Sequence, residues 1–548
     1  MPHSANHPGW GSSAGPLVTL PQYPVLAAID IGTNSIHMAV VRIDPDLPSF
    51  DIIAREKATV RLGDRDPDTG NLTPEAIGRS LDALSRCRDL AASRQVDHTV
   101  AVATSATREA PNGRVFLKEI QQTLGLNVDL IAGPEEARRI YLGVLSGLEF
   151  EGRPHAVIDI GGGSTELILG DGHEPRYLSS TKVGAVRLTA AFIQHDPPSK
   201  SEFIALQGYA RGMLERAVEE LQGQLHPHET IRDVTLVGTS GTIECLAEFH
   251  ARRTLGIVPS PLQGYELTLD AVREMVDYLR TLTVQQRRDL PGLNERRAEI
   301  IVAGAVILQE AMELLKLDRL VVCERALREG IVVDWMLGQN LIEDRLRFQS
   351  SVRQRSTLAL AQKYQVNLAA AEHVAKLSLM LFDQTQGLLH DWGEEERELL
   401  WTAAVLHSCG LHIGHSAHHK HAYYLIRFGE LYGFTEREVE IIANLARYHR
   451  KSAPKKRHEN YQNLANKSER KLVDELSPML RLAAALNRRQ VQVIQRVQCQ
   501  ILGDRKKFCL LIHPTHPNDS CALEQWSVNL EKHVFEHEFR MPLELILN

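Results

Sequence analysis

The chain has 548 residues, 43% hydrophobic and 24% charged, proportions that exclude a disordered or fibrous protein. Its net charge of −7 excludes a broadly basic nucleic-acid or membrane-surface binder, though not a local basic groove for a polyanion. The 7 cysteines form no C-x-x-C pair and no apolar run approaches bilayer length, so a reducing, cytoplasmic compartment is expected.

Residues 1–23 are rich in Pro, Gly, Ser and His and lack an apolar h-region; a flexible tail is expected there. Apolar runs at Val25–Ile29 and Met38–Ile43 flank Asp30-Ile31-Gly32-Thr33-Asn34-Ser35, a strand–turn–strand pattern. A strand at Asp51–Val60 follows, then a helix opened by Thr73 and Pro74. Thr99–Ala103 reads as a strand and Thr104–Arg108 as a turn. A helix at Arg114–Leu124, a strand at Val128–Ile131 and a helix from Gly133 through Tyr141 come next. The opening pattern then returns: Asp159-Ile160-Gly161-Gly162-Gly163-Ser164 repeats Asp30 to Ser35, each between apolar strands. A repeat at domain-sized spacing implies two homologous α/β domains facing one another, at 24–141 and 142–335. A third turn, Gly238-Thr239-Ser240-Gly241-Thr242, follows the strand Val234–Val237. From Arg345 the pattern is almost continuously helical, giving a domain over 336–488. Strands at Gln490–Leu502 and Lys507–Ile512 then suggest a small α+β domain over 489–548 with its own modest core.

The three turns share one chemistry. Small residues let backbone N–H groups converge on an anion, and Ser and Thr hydroxyls add donors. Asp30 and Asp159 end corresponding strands, where a carboxylate holds Mg²⁺, orients water or merely caps the turn. Glu166 adds an acid where the first copy has His37. Glu135 and Glu136 open a helix, a position the helix dipole favours for any acid; a general base facing the cleft is the competing reading. Arg108 is placed to clamp a phosphate or to sit on the surface.

These motifs resemble the exopolyphosphatase/guanosine pentaphosphate phosphatase family of the actin and sugar-kinase superfamily. The resemblance rests on Ala28–Met38, Thr104–Ala110, Gly133–Ala137, Val157–Leu167 and Gly238–Ile243. It implies two duplicated actin-like, ribonuclease H-like domains with a cleft, a helical domain and a small α+β domain. It also implies removal of terminal phosphates from a phosphoanhydride chain, most like a long-form exopolyphosphatase acting on inorganic polyphosphate. Guanosine pentaphosphate is the alternative substrate, and an actin-fold kinase or nucleotide sensor the alternative of another class. Carried over by position, Glu136 is the catalytic base, and Asp159 and Glu166 bind Mg²⁺ or order the water. Asp30, Gly32 to Ser35, Arg108, Gly161 to Ser164 and Gly238 to Thr242 hold phosphates. A monovalent cation such as K⁺ is a second candidate ion, and a homodimer is expected. The helical domain resembles an HD-type phosphohydrolase, but Ser408 follows His407, and Ala484 and Asn487 stand where aspartates would be. It is therefore read as degenerate. His373, His407 and the cluster from His412 to His421, with Arg447, His449, Arg450 and Lys451, are instead expected to line a polyphosphate channel.

Overall fold

The computed structural model describes residues 23–45, 47, 49–339, 341–342, 352–503 and 507–548. The expected tail, apart from Tyr23, and the change of pattern at Arg345 lie outside the described residues.

The first sheet is built from β1 (Val25–Ile31), β2 (Ser35–Asp44), β3 (Ser49–Thr59), β4 (His98–Ala103) and β5 (Asp129–Leu130). Their order is β3-β2-β1-β4-β5: an antiparallel meander extended by two parallel strands. The second sheet comprises β6 (His155–Ile160), β7 (Thr165–Gly170), β8 (Tyr177–Thr181), β9 (Thr235–Thr239), β10 (Glu266–Thr268) and β11 (Arg319–Val322). Its order, β8-β7-β6-β9-β11-β10, repeats the first topology and adds one antiparallel edge strand. The sequence repeat is therefore a structural one, and the arrangement is the duplicated actin-like fold.

Side-chain alternation along the strands decides how the two sheets meet. Leu26, Ala28, Ala39 and Val41 face a core shared with Val157, Ile168 and Val237 of the second sheet. Ala27, Ile29, Met38 and Val40 face the helices of their own lobe. Two helices fill the shared core in exchanged positions. Helix Gly133–Leu145 packs on β7 and β8, and helix Leu327–Gly338 returns to pack on β1 and β2. They cross at bare backbone: a Cβ on Gly330 would lie 1.7 Å from the Arg139 carbonyl oxygen, and one on Gly143 2.0 Å from that of Ala326. A division at 141/142 thus falls inside a helix that belongs spatially to the second lobe.

Beyond the lobes, helices including Leu368–Thr385, Glu394–Leu406, His418–Arg427, Glu436–Tyr448 and Lys467–Leu486 form a bundle. A three-stranded sheet follows: β12 (Ile494–Leu502), β13 (Lys507–Pro514) and β14 (Leu543–Leu547), with helices Ala522–Glu531 and His533–Phe539 before the last strand. The expected separate core is not found. Phe508, Leu510, Ile512 and Phe535 join one continuous apolar cluster with Leu377, Leu445 and Leu480 of the bundle. A three-stranded sheet has too little surface to bury a core unaided and leans on the helices. Among the described residues, no helix is long and apolar enough to cross a membrane.

Candidate active site

The two Gly-hydroxyl turns close with the same bond. Gly32 N–H donates to the Ser35 carbonyl at 3.1 Å, and Gly161 N–H to that of Ser164 at 2.9 Å. They meet face to face between the lobes. A Cβ on Gly163 would fall 2.5 Å from Ser105 Oγ and 2.7 Å from Thr33 Oγ1, so only glycine fits this approach. The cleft encloses about 180 Å³. Asp30, Gly32, Thr33, Asn34, Ser35, Glu136, Asp159, Gly161, Gly162, Gly163, Ser164, Ser240 and Gly241 all line it. Residues drawn from both halves of the repeat and from a third turn thus converge on one space.

Carboxylates dominate this space. Glu136, in the first turn of its helix, is only 7% exposed, and Arg108 Nη1 donates to its Oε2 at 3.0 Å. Burial raises its pKa while the Arg108 guanidinium pulls it back. Asp159, at the end of β6, lies opposite Glu166 on β7 and Thr239 on β9. Burial, then the charges of Glu136, Asp30 and Glu244, push Asp159 to about 8. Burial and Glu136 likewise raise Asp30 to about 7, and its Oδ1 is buried without a hydrogen-bond partner. These acids are packed closely enough that each disfavours the ionisation of the next.

Several expected ligands sit behind the cleft. Glu166 is 1% exposed and accepts a hydrogen bond from Ser180 Oγ at 2.7 Å; it backs Asp159 and does not line the cleft. Arg108 lies behind Glu136, its Nη1 also donating to the Ile131 carbonyl at 2.8 Å. Gly238 packs against Leu320, and buried Thr239 donates to the Arg325 carbonyl at 3.0 Å. Thr242 accepts a 3.1 Å hydrogen bond from Arg297 Nη1. Gly238, Thr239 and Thr242 therefore shape the third turn from beneath, and only Ser240 and Gly241 reach the cleft. Ser240 does so at φ 88°, a left-handed conformation a serine seldom adopts, with its Oγ bonded to the Ile160 carbonyl.

The fold also brings in residues the motifs did not mark. Lys57, Glu244, Arg297 and Arg328 line the same cleft. Glu244 follows the third turn by two residues, a position an extended motif would have caught. Lys57 on β3 and Arg328 on the returning helix carry no local signal; Lys57 comes in by pairing opposite His37 of β2, and Arg328 by the exchanged packing of its helix. His37, which lines the cleft, donates to or accepts from Ser35 Oγ at 2.8 Å, and burial lowers its pKa to about 2, leaving a neutral ring.

The expected channel residues separate. His449, Arg450 and Lys451 line a cavity inside the helical bundle, whereas Arg447 Nε is engaged by Asn460 Oδ1 at 3.0 Å and does not. His373 is a satisfied core residue, bonded to Asn487 Oδ1 and to the Ile494 carbonyl. No residue lining this cavity lines the cleft.

Two copies of one α/β unit, closing glycine-hydroxyl turns over buried acids, define an actin-like protein with an acid-lined cleft between its lobes. Residues 39–339 match the Ppx/GppA phosphatase family, and residues 352–532 match domain III of the Ppx/GppA phosphatases. The guanosine-5'-triphosphate,3'-diphosphate pyrophosphatase of Vibrio vulnificus is 32% identical over 487 residues, covering 88% of this chain and 91% of that protein. Its Vibrio parahaemolyticus counterpart is 33% identical, covering 78% and 81%. The crystal structure of an exopolyphosphatase from Cytophaga hutchinsonii is 28% identical with a TM-score of 0.52, covering 57% of this chain and 98% of that one. The chain belongs to the Ppx/GppA phosphatase family and is a phosphatase-family hydrolase.

Proposed function

We propose that the cleft hydrolyses the terminal phosphoanhydride bond of a phosphate chain, with Glu136 as general base. The observation that carries this reading is the buried Glu136 carboxylate, facing the cleft between turns of opposite lobes and oriented by Arg108. Water attacks the terminal phosphorus and gives its proton to Glu136 while the bond to the leaving phosphate oxygen breaks. Burial makes Glu136 a stronger base than a surface glutamate. Backbone N–H groups of the two turns, with Lys57, Arg297 and Arg328, meet the negative charge of the phosphates.

The acids suit Mg²⁺. Asp159 and Asp30 offer hard oxygen ligands, one of them the unpartnered Asp30 Oδ1. Mg²⁺ is commonly held by one or two carboxylates together with waters and substrate oxygens, a set these two acids can begin. When bound, the ion neutralises charge on the phosphates. Glu166 positions Asp159 from behind.

Guanosine pentaphosphate is the favoured substrate. The relatives matching over most of the chain bear that activity's name, whereas the exopolyphosphatase neighbour spans only 57% of it. Of the basic residues that favoured polyphosphate, His449, Arg450 and Lys451 line a cavity that shares no residue with the cleft. The test is orthophosphate release with Mg²⁺ from guanosine pentaphosphate and from long-chain polyphosphate, by the wild type and Glu136→Gln. The variant is expected to lose about 10²–10⁴-fold in turnover while still binding substrate. Wild-type turnover of the variant would remove Glu136 from the mechanism, and faster release from polyphosphate would reverse the substrate order.

A further inference from the structure

A cavity of about 500 Å³, larger than the cleft, lies in the helical part and falls within the size range of small-molecule sites. Ser408, Ala484 and Asn487, which stand where the expected HD-type resemblance would place acids, line it together with His407.

Its lining is mixed in character. It includes the basic groups of Arg450, Lys451 and Arg488 and the imidazoles of His407 and His449. Each imidazole donates from, or is held at, Nδ1 by a backbone carbonyl at 2.6 Å, Ala404 for His407 and Ala446 for His449. Among the described residues neither Nε2 atom has a hydrogen-bond partner, and the rings lie only 5.0 Å apart. Arg481, by contrast, is spent on the Tyr448 and Lys451 carbonyls and on Glu531. Tyr364, Val374 and Trp526 add aromatic and apolar surface to the same lining; Trp526 is 57% exposed.

We propose that this cavity is a second ligand site, taking a small phosphorylated molecule that carries an aromatic ring, of the nucleoside phosphate class. Phosphates lie on the guanidinium groups of Arg450 and Arg488 and the ammonium of Lys451. Burial holds His407 down to about 4 and His449 well below its ordinary value, so both rings stay neutral there. The ring lies along Trp526. An inorganic phosphate chain is polar along its whole length and would leave that aromatic surface uncovered. The site is independent of the substrate reading of the cleft.

The test is isothermal titration of the full-length chain with GTP and with inorganic tripolyphosphate, comparing wild type, Arg488→Ala and Trp526→Ala. Both side chains are exposed, so neither substitution disturbs the core. GTP is expected to show a binding event that Trp526→Ala weakens about tenfold, with tripolyphosphate binding unmoved by that variant. Arg488→Ala is expected to weaken the same GTP event, and both variants are expected to release orthophosphate at the wild-type rate. GTP binding unaffected by both variants overturns the proposal. Tripolyphosphate competing equally for the cavity, with no effect of Trp526→Ala, also overturns it and makes the cavity a polyanion path. A wild type that binds GTP in this manner but releases no phosphate would defeat the cleft reading alone.

Discussion

At the scale of the residue, Glu136 and Arg108 set each other's properties. Burial favours the neutral acid, and the guanidinium 3.0 Å away favours the carboxylate a base requires. Removing that guanidinium raises the Glu136 pKa further. In Arg108→Ala, the acidic limb of the kcat/KM profile is therefore expected to move to higher pH, with activity lost near neutrality and regained in alkali. A profile of unchanged shape and lower height would instead mark Arg108 as a phosphate ligand. Spacing alone left Glu136 balanced between a helix-dipole acid and a base, because a sequence does not state which way a first-turn side chain faces. Asp30, Asp159 and the paired turns were legible since both copies carry them in register.

At the scale of the element, the exchanged helices hold the lobes in place. Gly143 and Gly330 let helices Gly133–Leu145 and Leu327–Gly338 touch backbone to backbone. Gly330→Ala would force a methyl group against the Arg139 carbonyl, and the helices must separate. The expected cost is roughly 1–3 kcal/mol, read as a lower melting temperature, together with reduced turnover because Glu136 and Arg328 ride on those helices. Unchanged stability would mean the crossing relaxes freely. Other elements departed from the sequence reading in instructive ways. The expected turn Thr104–Arg108 is the short helix Ser105–Glu109, which places Ser105 against Gly163. The final strand Leu543–Leu547 was not anticipated; it pairs with β13 from far along the chain, a contact no local pattern reports.

At the scale of the whole molecule, closing two lobes over acids makes stability depend on pH. Asp30 and Asp159 have an ordinary value of 3.8 and are raised to about 7 and about 8 by burial and mutual repulsion. Between roughly pH 4 and 8 the folded chain therefore binds more protons than the unfolded one, so stability falls as pH rises through that window. The melting temperature in chelator is expected to be lower near pH 8.5 than near pH 6. Mg²⁺ is expected to restore more stability at the higher pH, where the acids are ionised. A melting temperature independent of both pH and Mg²⁺ would separate these acids from any ion. The helical part joins the lobes through Gly433 N–H to the Gly147 carbonyl at 3.0 Å and Arg353 N–H to Glu149 Oε1 at 2.9 Å.

The repeat of Asp30 to Ser35 at Asp159 to Ser164 by itself determined a duplicated α/β architecture with a cleft, because strand alternation and glycine turns are local properties. Local patterning likewise determined the helical character of the following segment. Tertiary structure alone decided that Glu166, Gly238, Thr239 and Thr242 stand behind the cleft while Lys57, Glu244, Arg297 and Arg328 enter it. It also merged the C-terminal sheet into the bundle core and gathered His407, His449, Arg450 and Trp526 around one cavity. These outcomes depend on which buried face meets which, and that is settled by packing between segments hundreds of residues apart rather than by any residue's neighbours in the chain.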